Sequence, residues 1–364
     1  MVGFARMGIV FLALLAAGAA QAADPPRFEV DPFWPKPLPN NWILGQVSSV
    51  AVDDQDHVWI TQRPRTLTDD EKGAALTPPR SQCCIPAPPV IEFDPAGNVV
   101  RAWGGPGEGY EWPTNEHGIA VDHKGLVWIT GNGPEDGQIL KFTRDGKFVL
   151  QIGREGPLKG SADTQSVGRA AETTVDPATN ELYVADGYGN HRIIVFDAET
   201  GAFKRMWGAY GNPPSDEKLP PYDPKAPPAK QFANPVHCVK LSKDGLVYVC
   251  DRVNNRIQVF HQDGSFVTEW FYKPSTLGNG AVWDLELSRD PAQAYLFSND
   301  GENNEVRILN RADGSVLGAF GRSGRYAGQF HWVHNLALDS KGNVFTTEVD
   351  NGKRVQKFHP VGAN

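Results

Sequence analysis

The 364-residue sequence has little of what helical or nucleic-acid-binding proteins use. It contains only three Met, and its 35 basic side chains are outnumbered by 43 acidic ones, which leaves a net charge of -8. This acidic balance argues against nucleic acid as a partner, because binding to phosphates requires positive charge. The 38 Gly, 29 Pro and 10 Trp instead favour many short strands joined by turns, with almost no helix.

Long apolar runs are also scarce, and the one that stands out lies at the start of the chain. One Arg precedes the run IVFLALLAAGAA, which ends at the small-residue pattern Ala20-Gln21-Ala22. That order is typical of a secretory signal peptide, and the run is too short to span a bilayer comfortably. We therefore expect residues 1–22 to be removed and residues 23–364 to form one exported domain, periplasmic or secreted and monomeric, with no membrane contact after cleavage. An uncleaved anchor is the alternative.

The sequence has only four cysteines, and in an exported chain these favour disulfides over reduced thiols. Cys238 and Cys250 flank the turn at Asp244 symmetrically, which predicts a hairpin with a cross-strand disulfide. Cys83 and Cys84 are adjacent in a Pro-rich segment. They could form a strained vicinal disulfide, remain free or bind a ligand, and the sequence leaves these alternatives open.

Internal repetition predicts the fold. Short apolar strand endings recur about every 50 residues as IEFD, LKFT, IVFD, QVFH, RILN and QKFH, and a second hairpin pattern precedes each of them. Two hairpins per repeat give four strands, and six such repeats predict an all-β, six-bladed propeller with four-stranded antiparallel blades. The last repeat stops at Phe358, so the segment 28–30 is expected to supply its missing strand. The Pro-rich insertions 64–90 and 211–231 are predicted to be surface loops.

Aligning the inner hairpins of the six repeats predicts a metal site. One equivalent position is occupied, in order, by Ser48, His117, Ala171, His237, Trp283 and His334. Histidines on alternate blades of a ring converge on its axis about 120° apart, and three imidazoles with one open position are typical of catalytic zinc. Iron, nickel or copper would also accept these ligands. The alternative is that the histidines only begin the innermost strands and bond to backbone or water.

The ends of the hairpins add polar side chains on the same face. Arg63 and Arg252 occupy equivalent positions in repeats one and four, and two guanidinium groups near a metal would bind a carboxylate. Tyr188, in repeat three, would have its phenolate favoured there and could act as a base. The alternatives are rim salt bridges for the arginines and a surface aromatic for the tyrosine. Arg192 and Arg256 are expected to pair with carboxylates between blades.

Four motifs, HGIAVDHKGLVWIT, DGYGNHRI, PVHCVKLSKDGLVYVCDRVNNRIQVF and HWVHNLALD, resemble those of the peptidyl-α-hydroxyglycine α-amidating lyases. The catalytic domain of that family is a six-bladed propeller of the NHL-repeat type, and the resemblance covers roughly residues 40–360. It implies zinc bound by the three axial histidines and a catalytic tyrosine at Tyr188. It also implies active-site arginines at Arg252 and Arg63.

The sequence departs from the family at several positions. Trp332 stands where the family has Met, and Asn335 stands where it has a calcium-binding Asp, which argues against a calcium site. Gly189 replaces a family cysteine, so the family's disulfide pattern is not kept. No monooxygenase domain, which makes the lyase's substrate in animals, is fused to this chain. The resemblance is to a bacterial-type exported homologue.

The resemblance implies a metal-dependent lyase that cleaves the C–N bond of an N-acyl hemiaminal, such as a peptidyl-α-hydroxyglycine, into an amide and glyoxylate. The expected substrate is a small molecule or peptide that bears a carboxylate. A metal-dependent hydrolase such as a lactonase would use the same ligands to activate water. A non-catalytic binding propeller is the third alternative, because this architecture carries many functions.

Overall fold

The structure is a computed structural model that describes residues 25–362. The predicted signal peptide, residues 1–22, lies outside the described residues. Within them, no helix is long and apolar enough to cross a membrane, and the helical structure consists of three short 3-10 turns at Pro64–Thr66, Gly73–Ala75 and Ala209–Gly211. The near absence of helix agrees with the expectation from composition.

Twenty-six strands lie within residues 25–362. In chain order they are β1 Arg27–Asp31, β2 Trp42–Ile43, β3 Gln46–Val52, β4 Val58–Arg63, β5 Ile85–Pro86, β6 Val90–Phe93, β7 Val99–Trp103, β8 Glu116–Val121, β9 Val127–Gly131, β10 Gln138–Phe142, β11 Phe148–Gly153, β12 Glu172–Asp176, β13 Glu181–Asp186, β14 Arg192–Asp197, β15 Phe203–Trp207, β16 Val236–Leu241, β17 Leu246–Asp251, β18 Arg256–His261, β19 Phe266–Phe271, β20 Asp284–Leu287, β21 Tyr295–Asp300, β22 Glu305–Asn310, β23 Val316–Phe320, β24 Val333–Leu338, β25 Val344–Glu348 and β26 Arg354–Val361.

The strands form a six-bladed β-propeller of four-stranded antiparallel blades, as the repeat pattern predicted. Blades one to five are β3-β4-β6-β7, β8 to β11, β12 to β15, β16 to β19 and β20 to β23. Blade six combines β24, β25 and β26 with β1 from the other end of the chain, and Val30 faces Phe358 across that last pair. The ring is therefore closed by the N-terminal strand, as expected.

The hydrophobic core lies between neighbouring blades. Trp59 of blade one, which is fully buried, packs in a cluster with Ile119 and Ile129 of blade two. Trp128 of blade two likewise packs against Leu182 and Ile194 of blade three. Because burying one such side chain contributes roughly 1.5 to 3 kcal/mol, these layers fix each blade against the next. The first strand of every blade is thereby held beside the central axis.

Both cysteine pairs are disulfide-bonded. Cys238 in β16 lies directly opposite Cys250 in β17, with their Cα atoms 4.8 Å apart, which confirms the predicted cross-strand disulfide. Cys83 and Cys84 are bonded to each other, which selects one of the alternatives that the sequence left open. They precede β5, which pairs with β2 and anchors the first Pro-rich insertion to the blade.

Candidate metal centre

The three axial histidines lie at irregularities in the innermost strands of alternate blades. The pairing of β16 with β17 skips His237, that of β24 with β25 skips His334, and that of β8 with β9 skips His117 together with Gly118. A bulge leaves its extra residue out of the ladder and turns the side chain in a new direction. The three side chains are thereby brought together at the axis, with ring centroids 4.8 to 5.1 Å apart.

Each imidazole is oriented by the next blade of the ring. The Nδ1 atoms of His117, His237 and His334 lie 2.8, 2.5 and 2.6 Å from the backbone carbonyl oxygens of Ala171, Trp283 and Ser48, respectively. A carbonyl only accepts hydrogen bonds, so each Nδ1 donates a proton and each neutral ring has its lone pair on Nε2. This is the arrangement that orients histidines toward a metal.

Burial keeps the three rings uncharged. It lowers the pKa of His117 and His237 well below the usual histidine value, and it lowers the pKa of His334 to about 3. The nearby guanidinium groups of Arg63 and Arg252 act in the same direction. A neutral imidazole is the form that binds a metal, so the three rings are ready to coordinate an ion at neutral pH.

This donor set fits a divalent transition metal. The potential ligand atoms of the three histidines lie within 4.8 Å of one another, each ring is buried, and each Nδ1 is already paired. Three nitrogen ligands without a carboxylate suit zinc and related ions better than magnesium or calcium. The structure therefore brings the sequence-predicted ligands together in a way that metal binding requires, while the metal itself and its identity stay predictions.

Tyr188 closes the open side of the imidazole cluster. Its hydroxyl oxygen lies 3.0 Å from Nε2 of both His117 and His237. The chain reaches this position through Gly187, which packs so tightly against Val236 that an added Cβ would lie 2.1 Å from backbone atoms. A larger residue at position 187 would move the tyrosine, so the glycine is needed for the approach.

Arg252 lies beside this hydroxyl and has a free donor. Its NH1 is 3.2 Å from the Tyr188 hydroxyl, and its guanidinium carbon lies 4.5 Å from the Trp283 ring centroid. The side chain is only 8% exposed, and its Nε atom is buried without a partner among the described residues. Since leaving a buried donor unpaired costs free energy, this atom indicates a place for an acceptor such as a carboxylate.

Arg63 differs from Arg252 although the two are equivalent in the repeats. Its Nε donates to the Glu116 backbone oxygen at 2.7 Å, and its NH1 donates to the Gln46 side chain at 2.9 Å. Burial lowers the pKa of Arg63 to about 10, which leaves it charged at neutral pH. The structure thus leaves most of the anion-binding capacity to Arg252, while Arg63 contributes charge and ties blade one to blade two.

Buried ion pairs fix the segments that carry Tyr188 and Arg252. The Nε atoms of Arg192 and Arg256 lie 2.8 Å from the carboxylates of Asp186 and Asp251, respectively. The expectation that these arginines pair between blades was wrong, because each carboxylate belongs to the arginine's own blade. The aspartate at the end of the second strand faces the arginine that begins the third, so the pair closes the turn that holds the active side chain.

Two further residues of the site were missed from the sequence. The guanidinium carbon of Arg169 lies 5.9 Å from the Tyr188 ring centroid, and its Nε donates to the Asn132 backbone oxygen at 2.9 Å. The Asn132 side chain in turn accepts from Arg63 at 3.5 Å. Both residues lie in irregular connections, where the repeat pattern gives no register. The one available signal was that Arg169 lies two positions before the axial residue Ala171.

A second buried polar cluster lies next to the imidazoles. Glu172, Asp284 and Asn335 each follow an axial residue, and the Lys240 ammonium is 2.5 Å from Glu172 and 3.9 Å from Asp284. Asn335 donates to Asp284 at 2.5 Å and accepts from the Val50 backbone N–H at 2.7 Å. Burial raises the pKa of Asp284 well above its usual value.

Lys240 supplies the positive charge of this cluster from within the chain. Burial favours its neutral form, but the carboxylates of Asp284, Glu172 and Glu286 outweigh that effect and raise the pKa of Lys240. A lysine ammonium already lies among these carboxylates, and an amide stands at position 335. The doubt about calcium that Asn335 raises stays a prediction from the sequence.

Comparison with known proteins gives a family of repeats and several distant relatives. A family model described as NHL repeat matches residues 236–260. NHL repeat-containing protein 3 of Mus musculus is 28% identical over 358 residues, covering 93% of this chain and 85% of that protein. The probable peptidyl-alpha-hydroxyglycine alpha-amidating lyase of Caenorhabditis elegans is 28% identical over 310 residues, covering 84% of this chain and 81% of that protein.

Two other comparisons are more limited. Peptidyl-glycine alpha-amidating monooxygenase B of Xenopus laevis is 26% identical over 355 residues, covering 93% of this chain, and the chain spans only 36% of that protein's length. Among solved structures, a streptogramin B lyase superposes with a TM-score of 0.53 at 12% identity, covering 92% of this chain and 98% of that one. That likeness concerns the fold alone.

Proposed function

We propose that the protein is a metal-dependent lyase that cleaves the C–N bond of an N-acyl hemiaminal such as a peptidyl-α-hydroxyglycine, and that the ion is zinc. The observation that carries the proposal is the position of the Tyr188 hydroxyl, 3.0 Å from two imidazole Nε2 atoms and 3.2 Å from Arg252. The residues proposed as proton acceptor, metal ligands and anion-binding group thus lie within hydrogen-bond distance of one another. The name of the C. elegans relative, a probable peptidyl-alpha-hydroxyglycine alpha-amidating lyase, supports the same activity.

The reaction needs three events, and the chain has a residue for each. The hydroxyl of the hemiaminal must lose its proton, its carbon must form a carbonyl, and the bond from that carbon to nitrogen must break. His117, His237 and His334 would hold the ion, which when bound lowers the pKa of a hydroxyl group beside it. Tyr188 is placed to accept the hydroxyl proton and to return a proton to the departing nitrogen. The products are then an amide and glyoxylate.

Arg252 would orient the substrate through its carboxylate. A buried guanidinium with a free Nε–H offers a charge-assisted hydrogen bond in a region from which water is largely excluded. Binding there would place the adjacent carbon, which carries the hydroxyl, toward Tyr188. Arg63 would add positive charge without offering the same free donor, since its Nε and NH1 already have partners.

Product analysis with α-hydroxyhippurate tests the proposal, because it separates the possible reactions. Lyase activity releases benzamide and glyoxylate in equal amounts, whereas hydrolysis of the amide releases benzoate. We expect benzamide, with turnover that falls when the protein is treated with a chelator and returns with added zinc. Benzoate, or hydrolysis of simple lactones without benzamide formation, would identify a hydrolase instead. No turnover of any of these substrates by the metal-loaded protein would contradict an enzymatic role of this kind.

A further inference from the structure

A cleft of about 870 Å³ lies beneath the second Pro-rich insertion. The insertion connects β15 of blade three to β16 of blade four. It therefore lies on the face of the ring where the innermost strands begin, which is the face that carries the histidines. We call this cavity the insertion cleft.

The insertion cleft runs outward from the candidate metal centre. Asn234, which lines its inner end, lies two residues before the innermost strand β16, and its side chain donates a hydrogen bond to the backbone oxygen of Tyr188. Val253, also in the lining, is the neighbour of Arg252. The outer end is formed by Phe271, the last residue of the outermost strand β19, and by Pro274. The cleft thus crosses four strands, or about 14 Å at about 4.8 Å per strand spacing.

The insertion is tied down at both sides of the cleft. The Asp216 carboxylate accepts hydrogen bonds from the Ser161 backbone N–H at 2.9 Å and from its hydroxyl at 2.5 Å. The Tyr222 hydroxyl reaches across to the Pro274 carbonyl oxygen at 2.8 Å. These contacts make the insertion a roof, and the tyrosine closes it over the outer end.

The backbone of the lining offers few hydrogen-bond donors, and the charged side chains of the roof are Asp216, Glu217, Lys218 and Asp223. Six of its residues are prolines, which have no backbone N–H: Pro220, Pro221, Pro224, Pro227, Pro228 and Pro274. The polar side chains of its floor are already committed, as Arg256 is bound to Asp251 and Tyr210, and Asn254 is bound to Asp251. A peptide lying in the cleft would leave its amides unpaired, which costs free energy. An apolar chain has no amide groups and therefore carries no such cost.

From this geometry we infer that the insertion cleft binds an extended apolar acyl chain. The chain is attached to the nitrogen of the substrate, and the hydroxyl and carboxylate of the same substrate contact Tyr188 and Arg252. This inference rests on the proposed function for the identity of the reacting group. The inner end of the cleft adjoins both site residues, so an N-acyl chain can enter it without leaving the metal face. Burial of that chain against Phe271 and the roof then favours long acyl groups over short ones.

Chain-length preference tests the inference. We expect kcat/KM to be at least roughly tenfold higher for α-hydroxy-N-decanoylglycine than for α-hydroxy-N-acetylglycine. Phe271→Ala and Tyr222→Ala should each remove most of that preference. The matched control is Phe203→Ala, since Phe203 lies in the outermost strand of blade three with a similar exposure, 37% against 41%, and does not line the cleft. Equal use of both substrates would overturn the inference, and so would a preference that both cleft variants keep. Better use of tetra-alanyl-α-hydroxyglycine than of the decanoyl substrate would also overturn it.

Binding of the product amide separates this inference from the proposed function. Decanamide should bind the metal-loaded protein in a calorimetric titration, and Phe271→Ala and Tyr222→Ala should each weaken that binding about tenfold. If no substrate is turned over but decanamide binds and both variants weaken it, the proposed reaction fails and the cleft assignment stands. If decanamide does not bind, or binds equally to the variants and the wild type, the cleft assignment fails even where lyase activity is present.

Discussion

The Nδ1 atom of His334 lies 2.6 Å from the backbone carbonyl oxygen of Ser48, although 286 residues separate the two in the sequence. Ser48 belongs to blade one and His334 to blade six, so this contact spans the joint at which the ring closes. Blade six itself is completed by β1. The orientation of the third imidazole therefore depends on closure of the whole ring, and a complete ligand set forms only in the folded protein.

Replacing any one of the three histidines should remove the metal. Losing a hydrogen bond to a ligand already lowers metal affinity 10- to 100-fold, so His117→Ala, His237→Ala or His334→Ala should lower it by about 100-fold or more. Plasma mass spectrometry of the dialysed variants measures this directly. His123→Ala, which changes an exposed histidine, is the control and should keep the metal. Full metal content in all three axial variants would show that the site is wrongly assigned.

Tyr188→Phe should separate chemistry from metal binding. The phenylalanine ring keeps the packing but has no oxygen to exchange a proton, so we expect kcat to fall by about 10²- to 10⁴-fold with metal content unchanged. Steady-state kinetics beside metal analysis makes the comparison. A variant with normal kcat would exclude the tyrosine as the base and leave the metal assignment in place.

The two arginines should behave differently. Arg252→Ala removes a free charged donor, so we expect KM for carboxylate substrates to rise by roughly 10- to 100-fold, equivalent to about 1.5–3 kcal/mol. Arg63→Ala breaks hydrogen bonds between blades one and two and should lower the midpoint of thermal unfolding. Kinetics and thermal unfolding of both variants test this contrast. The same change of KM in both would mean that they share the role.

Lys240→Met should destabilise the fold. It leaves Glu172 and Asp284 buried without their cation, and breaking a buried pair costs about 3 to 5 kcal/mol. The loss in the free energy of unfolding should be smaller at pH 5 than at pH 8, because the buried carboxylates can then take up protons. Lys243→Met is the control, since Lys243 is exposed and its replacement should change little. An unchanged free energy of unfolding in Lys240→Met at both pH values would show that Lys240 does not stabilise the buried carboxylates.

The metal-free protein should lose stability as the pH falls below about 6.5. The pKa of His334 is lowered to about 3 in the folded state, so between these values only the unfolded state takes up the proton. His334 alone then costs about 1.4 kcal/mol per pH unit, and it has no effect above pH 6.5 because it is uncharged in both states. Urea unfolding after chelation measures the slope. His334→Gln should reduce it and His123→Gln should not; equal slopes in all three proteins would refute the explanation.

Much of the fold could be predicted from the sequence because a propeller repeats one local pattern. Each blade needs the same alternation of apolar and polar residues, so six copies of the hairpin pattern specified the blade number, and the incomplete sixth copy indicated closure by the N-terminal segment. Cys238 and Cys250 could be paired for the same reason, since positions placed symmetrically about a tight turn face each other. For the hairpins and for the disulfide, the partner is set by local register.

Convergence of the three histidines could also be predicted from the sequence, because equivalent positions of the blades lie at the same distance from the central axis. Tertiary structure decided what surrounds them. Arg63 and Arg252 are equivalent by register, yet contacts from Glu116 and Gln46 occupy the first and leave the second a free donor. Arg169 and the cleft under residues 211–231 belong to connections without a repeat. Their positions depend on packing between distant segments, which no local periodicity specifies. The sequence alone therefore determined that the three histidines meet at the axis, and only the assembled ring determined which side chains surround them.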